Sequence, residues 1–74
     1  MKEWTKEQIL ALRERLNLYQ REMAQRLGVT REYVVYLEKG VKTPSKTLKF
    51  LLDYIEREQN EKRKEKGKHG KGHL

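Results

Sequence analysis

The sequence contains no cysteine. That excludes a disulfide framework and any zinc site built on thiolates. Long hydrophobic runs are missing too. The longest apolar clusters, such as Phe50 to Leu52, last a few residues, far short of a membrane span. No apolar signal-peptide segment follows the N-terminus, so a cytoplasmic location is expected. Groupings of catalytic residues are also lacking. Glu14, Glu22 and Glu32 are scattered on polar faces and are most simply solvated. No glycine-rich phosphate loop is present. His69 and His73 stand among Gly70 and Gly72, where no helix fixes them as a metal pair. Neither a catalytic group nor a cofactor nor a metal is expected.

Positive charge, by contrast, is abundant. Lys plus Arg number 18 and Asp plus Glu number 11, a net charge of +7. Such a balance favours polyanionic partners, nucleic acid first, although the same charge also serves solubility. A chain of 74 residues has room for one domain with a small core.

The chain divides into four apolar-periodic stretches. Thr5 to Leu16 has capping-box spacing at Thr5 and Gln8, then an apolar stripe of Ile9, Leu12 and Leu16. Trp4 precedes the cap and is placed to staple the helix start against Ile9. Asn17-Leu18 is a connection, with Leu18 reaching for the core. Gln20 to Leu27 places Met23, Ala24 and Leu27 on one face. Tyr19, just before it, is a poor cap, so Asn17 or water is expected to cap this N-terminus. Gly28 then breaks the pattern, at a place where the chain leaves a helix in a left-handed conformation that costs glycine little. Val29 plugs the corner, and Thr30 is a good N-cap for a third helix that buries Val34 and Leu37 and ends at Gly40. After it, either Thr43, with Pro44 at the first helical position, or Ser45 alone can cap a fourth helix. That helix carries Leu48, Leu51, Leu52 and Ile55 and has no break between Ser45 and Gln59.

Two short helices joined by a tight turn, with alanine at the crossing and glycine in the turn, form the pattern of a DNA-binding helix-turn-helix. The residues Gln20, Met23-Ala24, Leu27-Gly28-Val29, Val34, Leu37, Glu38, Gly40 and Pro44, with Ile9 and Leu12-Arg13 upstream, resemble the Cro/phage-repressor type, also called the xenobiotic-response-element family. The resemblance covers roughly Thr5 to Ile55. It implies an all-α, lambda-repressor-like domain of four to five helices. Residues 1–59 are expected to form that DNA-binding domain. From Arg57 onward the chain has no apolar residue until Leu74, and residues 60–74 are expected to be a basic tail, disordered past about Lys64. The tail reads equally as an arm on the phosphate backbone or as a solvated end.

A helix turns about 100° per residue. With Val34 and Leu37 inward, Glu32, Val35, Tyr36 and Lys39 point out, and Arg31 can reach the groove from the helix start. The resemblance implies base contacts from Arg31, Glu32 and Tyr36, with Val35 alongside. Chemistry supplies roles. Arg31 suits guanine and Glu32 suits cytosine N4, or else Glu32 orients Arg31; Val35 suits a thymine methyl. Tyr36 suits a base edge or phosphate, although both Tyr33 and Tyr36 also read as core aromatics. Phosphate contacts are expected from Gln20, Lys39, Lys42, Thr43 and Lys46. The family also pairs the arginine after the first-helix leucine with the glutamate two residues before the glycine. Here these are Arg13 and Glu38, and helical phase puts Glu38 beside the buried edge of its helix.

The function this implies is sequence-specific binding of double-stranded DNA in the major groove. The expected protein is a transcriptional repressor, homodimeric on a palindromic operator. An antitoxin of the same fold, binding a toxin partner and its own operator, is an alternative. So is a protein-interaction module that binds no DNA.

Overall fold

In a computed structural model, residues 3–69 are described. They form four α-helices: α1, Lys6–Leu16; α2, Gln20–Leu27; α3, Arg31–Lys39; and α4, Lys46–His69. No strand occurs among the described residues, and the all-α class that the resemblance implied is the class found. The third helix packs chiefly on α2 and then on α1, while α4 packs across α1 and α2. One cluster makes the core: Trp4, Ile9, Leu12, Met23, Ala24, Leu27, Val34, Leu37, Leu48, Leu52 and Ile55. Leu16, Leu18, Val29, Tyr33 and Leu51 pack against its edge. Every helix thus contributes a stripe, and no helix could bury its own apolar face alone.

The helix ends follow local chemistry. The Thr5 side chain accepts from the Gln8 backbone N–H at 3.3 Å. The return half of the expected capping box is absent, because Gln8 Oε1 is buried without a partner. Asn17, expected as a possible cap for α2, instead ends α1: it is left-handed at φ 60° and its N–H bonds back to Arg13 and Glu14 carbonyls. Asparagine tolerates that conformation better than other non-glycine residues. The α2 start is served from inside the helix. The Glu22 carboxylate accepts the Tyr19 backbone N–H at 2.8 Å, so Glu22 is not merely solvated. A carboxylate here also suits the partial positive charge of a helix N-terminus.

Ser45, rather than Thr43, caps α4, accepting from the Leu48 N–H at 3.2 Å. Pro44 therefore sits outside the helix, where it is buried. Trp4 is tied across the molecule as well as packed, its indole Nε1 donating to Asp53 Oδ1 at 2.7 Å. Trp4 is thereby fixed to α4.

The fourth helix differs from expectation in length. It passes the expected boundary at residue 59 and the expected onset of disorder at Lys64, reaching His69. No proline interrupts this stretch, and Glu, Gln, Lys and Arg are good helix formers. Among the residues whose burial is described, the last core residue is Ile55. His73 and the end of the expected tail lie outside the described residues.

Candidate nucleic-acid interface

The turn between α2 and α3 is three residues, Gly28 to Thr30. Gly28 is left-handed at φ 71°. The next N–H, that of Val29, returns to the Ala24 carbonyl at 3.0 Å. This closes the helix end and leaves Val29 pressed against the core. Thr30 then accepts the Tyr33 N–H at 3.1 Å and starts α3. Chain direction between the two helices is therefore set by backbone bonds, a left-handed glycine and a threonine cap.

At its other end α3 stops at Gly40, φ 80°. The carbonyl of Tyr36 accepts from Val41 at 2.9 Å and from Lys42 at 3.3 Å. The loop that carries Lys42 and Thr43 is thus fastened to the end of α3. A Cβ added at Gly40 would lie 3.0 Å from the Lys6 side chain, whereas one at Gly28 would meet nothing within 4 Å. Gly28 answers to its backbone conformation alone; Gly40 answers to conformation and space.

Beneath α3 lies a charged joint. Arg13 Nε donates to Glu38 Oε2 at 2.6 Å and Arg13 Nη2 to Glu38 Oε1 at 3.1 Å. The pair is bidentate, which fixes orientation as well as distance. Arg13 Nη1 also donates to the Leu18 carbonyl at 2.9 Å. Gln20 Nε2 donates to Glu38 Oε1 at 3.0 Å. Glu38 is therefore shared by α1 and α2 while standing on α3, and its side chain is 7% exposed. Gln20 was expected on phosphate; its amide nitrogen is turned onto Glu38, with one N–H left over.

The opposite side of α3 carries no such bonds. Arg31, Glu32, Tyr36 and Lys39 are exposed, and Val35 is half-buried between the two sides. No hydrogen bond or ion pair joins Arg31 to Glu32 among the described residues. Tyr33 packs on the core edge, so of the two tyrosines only Tyr36 stays on the outer side. Lys42, Thr43 and Lys46 are exposed at and after the α3–α4 loop. Arg31, Glu32, Tyr36 and Lys39 thus stand exposed on α3, and Lys42, Thr43 and Lys46 stand exposed on the loop and helix start that follow it. Sequence reasoning missed Leu18 and Gln20 as members of the joint. A backbone carbonyl leaves no residue-type signal, and an exposed role for Gln20 was equally consistent with its position.

No group of three or more acidic, histidine or cysteine residues placed to hold a metal occurs among the described residues. No described helix is long and apolar enough to cross a membrane.

Comparison with known proteins agrees with this geometry. A family model described as helix-turn-helix matches residues 9–54. A protein of Archaeoglobus fulgidus named as an uncharacterized helix-turn-helix-type transcriptional regulator is 43% identical over 44 residues, 60% of this chain and 62% of that relative. The matched part thus falls short of two thirds of the relative's own length. No solved structure matches the chain. With the family model covering more than half of the chain and the turn, caps and buried faces all in place, this chain belongs to the helix-turn-helix family of DNA-binding domains, of the Cro/phage-repressor type.

Proposed function

We propose that this chain is a transcriptional repressor that binds a specific double-stranded operator through the major groove. One observation carries the reading: the outer side of α3 keeps its charged and polar groups exposed, while the inner side is fastened to α1 and α2. Rigid placement of unpaired groups is what base recognition needs, since a misplaced hydrogen-bond donor loses its discrimination. Arg31, Glu32, Val35 and Tyr36 take base edges. Lys39, Lys42, Thr43 and Lys46 take phosphates, together with the spare amide N–H of Gln20. These contacts fix register but carry no sequence information.

A recognition helix of nine residues spans roughly 13 Å and reads only a few base pairs. Two copies on a palindromic site are the simplest way to lengthen the sequence read. The DNA-binding unit is residues 1–59, and residues 60–74 act as a basic extension that adds non-specific affinity. A cytoplasmic location accords with this role. Selection of bound sequences from random double-stranded DNA tests the proposal. The expected product is an inverted repeat of short half-sites. An unenriched pool, or retention of DNA without any common sequence, would refute sequence-specific recognition.

A further inference from the structure

Lys6 is the first residue of α1, and residue order gives it no tie to the DNA-facing helix. The tertiary structure supplies one. The Lys6 side chain lies across Gly40, where α3 ends. A Cβ built on Gly40 would stand 3.0 Å from Lys6 Cδ, 3.8 Å from Cε and 3.7 Å from Nζ. The outer part of the lysine therefore rests against the space that the missing side chain leaves. Two anchors fix the chain where this lysine begins. Trp4 is buried and donates to Asp53, and Thr5 caps α1 through the Gln8 N–H. Packing of α1 on α3 brings the lysine to its place.

We infer that Lys6 is a further DNA contact, a phosphate clamp that works on the same run of backbone as Lys42 and crosses Gly40 to reach it; the inference rests on the DNA-binding reading above. Position is the first support. Lys39 directly precedes Gly40 and Lys42 follows it by two residues, so three lysines stand at one end of α3. Lys6 is itself exposed, which leaves its ammonium open to an anion.

Charge is the second support. Like charges brought together repel unless an anion answers them. Glu38, the carboxylate closest in sequence to Lys39, is nearly buried and already shared by Arg13 and Gln20. Glu3 and Glu7 are exposed near Lys6 in the chain. Among the described residues, no ion pair joins a carboxylate to Lys6, Lys39 or Lys42. The C-terminus of α3 offers only a partial negative charge. Its Tyr36 and Leu37 carbonyls already accept from the N–H groups of Gly40, Val41 and Lys42. A phosphate brings a full negative charge and several acceptor oxygens to the same place. Gly40 thereby gains a second role. It ends α3 at φ 80°, and it keeps open the path that Lys6 takes, since a Cβ there would push the lysine aside.

The experiment measures how binding of the full chain depends on salt, on the selected site and on random duplex DNA. Lys6→Met keeps the stem and removes the charge. It should lower the slope of log affinity against log salt by about one on both DNAs. Lys6→Arg keeps the charge and should keep the wild-type slope. Arg15→Met is the control. It removes one charge from the same helix, but from a guanidinium already bonded to Glu56 at 3.2 Å, and should leave the slope unmoved. A lysine that only offsets the charge at the end of α3 would lower the melting temperature in Lys6→Met and leave the slope alone. That result would overturn the contact. An equal fall in slope for Arg15→Met would also overturn it, by reducing the effect to bulk charge. A loss confined to the selected site would do the same, since a phosphate contact is blind to sequence. Each of these outcomes leaves DNA recognition standing. Absence of wild-type binding to either DNA would overturn the DNA-binding reading and the Lys6 contact with it.

Discussion

The two sides of α3 are built on opposite terms. Inward, Val34 and Leu37 are buried and Glu38 is bonded to Arg13 and Gln20. Outward, Arg31, Glu32, Tyr36 and Lys39 face solvent. The two sets interleave along nine residues because the side-chain direction turns by about 100° per residue, so positions three and four apart share a face. The contrast teaches that stability and recognition are separable here. Inner substitutions should unfold the domain without changing which sequence it prefers. Outer substitutions should change binding without changing stability.

The largest expected effect falls on the inner side. Arg13→Met leaves the nearly buried Glu38 carboxylate with only Gln20, and should cost on the order of 3–5 kcal/mol of stability. Glu38→Gln should be severe for the complementary reason. The double variant should cost less than the sum, and denaturant unfolding of all four proteins gives the coupling energy. A coupling near zero would break the comparison, since a surface pair contributes at most about 1 kcal/mol.

Next comes Arg31→Ala on the outer side. It should weaken binding to the selected site by roughly 1–3 kcal/mol and relax preference at one base pair, with the unfolding curve unmoved. Equal loss on every DNA sequence would assign Arg31 to phosphate instead.

Smaller effects are expected where α3 begins and ends. Gly28→Ala and Gly40→Ala should each cost about 1–2 kcal/mol by forcing a Cβ into the left-handed region. Gly40→Ala should be the worse of the two, because the Lys6 side chain must also give way. Asparagine at either position should cost less than alanine, as Asn17 already illustrates in this chain. Thermal unfolding ranks the four variants, and equal costs for alanine and asparagine would show that the turn has rearranged.

The smallest effect is that of Lys42→Ala, exposed beyond Gly40. It should lower the slope of log affinity against log salt by about one, alike on specific and random DNA. A change confined to the selected site would move Lys42 from the phosphate group to the base-reading group.

Much of the fold was legible in residue order. Apolar spacing gave each helix its buried stripe, and Gly28, Thr30 and Gly40 marked where α2 and α3 meet and where α3 ends. The pairing of Arg13 with Glu38 was implied by resemblance and by helical phase. Less legible were contacts that join distant residues through generic chemistry. Trp4 meets Asp53 because α4 crosses beside the N-terminal residues. Residue types alone do not distinguish that aspartate from any solvated one. Gln20 and the Leu18 carbonyl belong to the Arg13–Glu38 joint for similar reasons.

What the sequence determined by itself was local: helical periods, breakers, caps and the excess of positive charge. These depend on backbone preferences and on neighbours within four residues, so residue order suffices. The tertiary structure decided which cap was used where alternatives existed. It assigned Asn17 to the end of α1, Glu22 to the start of α2 and Ser45 to the start of α4. It also decided which polar side chains of α3 are spent on the fold and which remain outside it. That division depends on where α1 and α2 lie against α3. Long-range packing sets their positions, and a donor or acceptor is satisfied only by the partner that packing brings within about 3 Å.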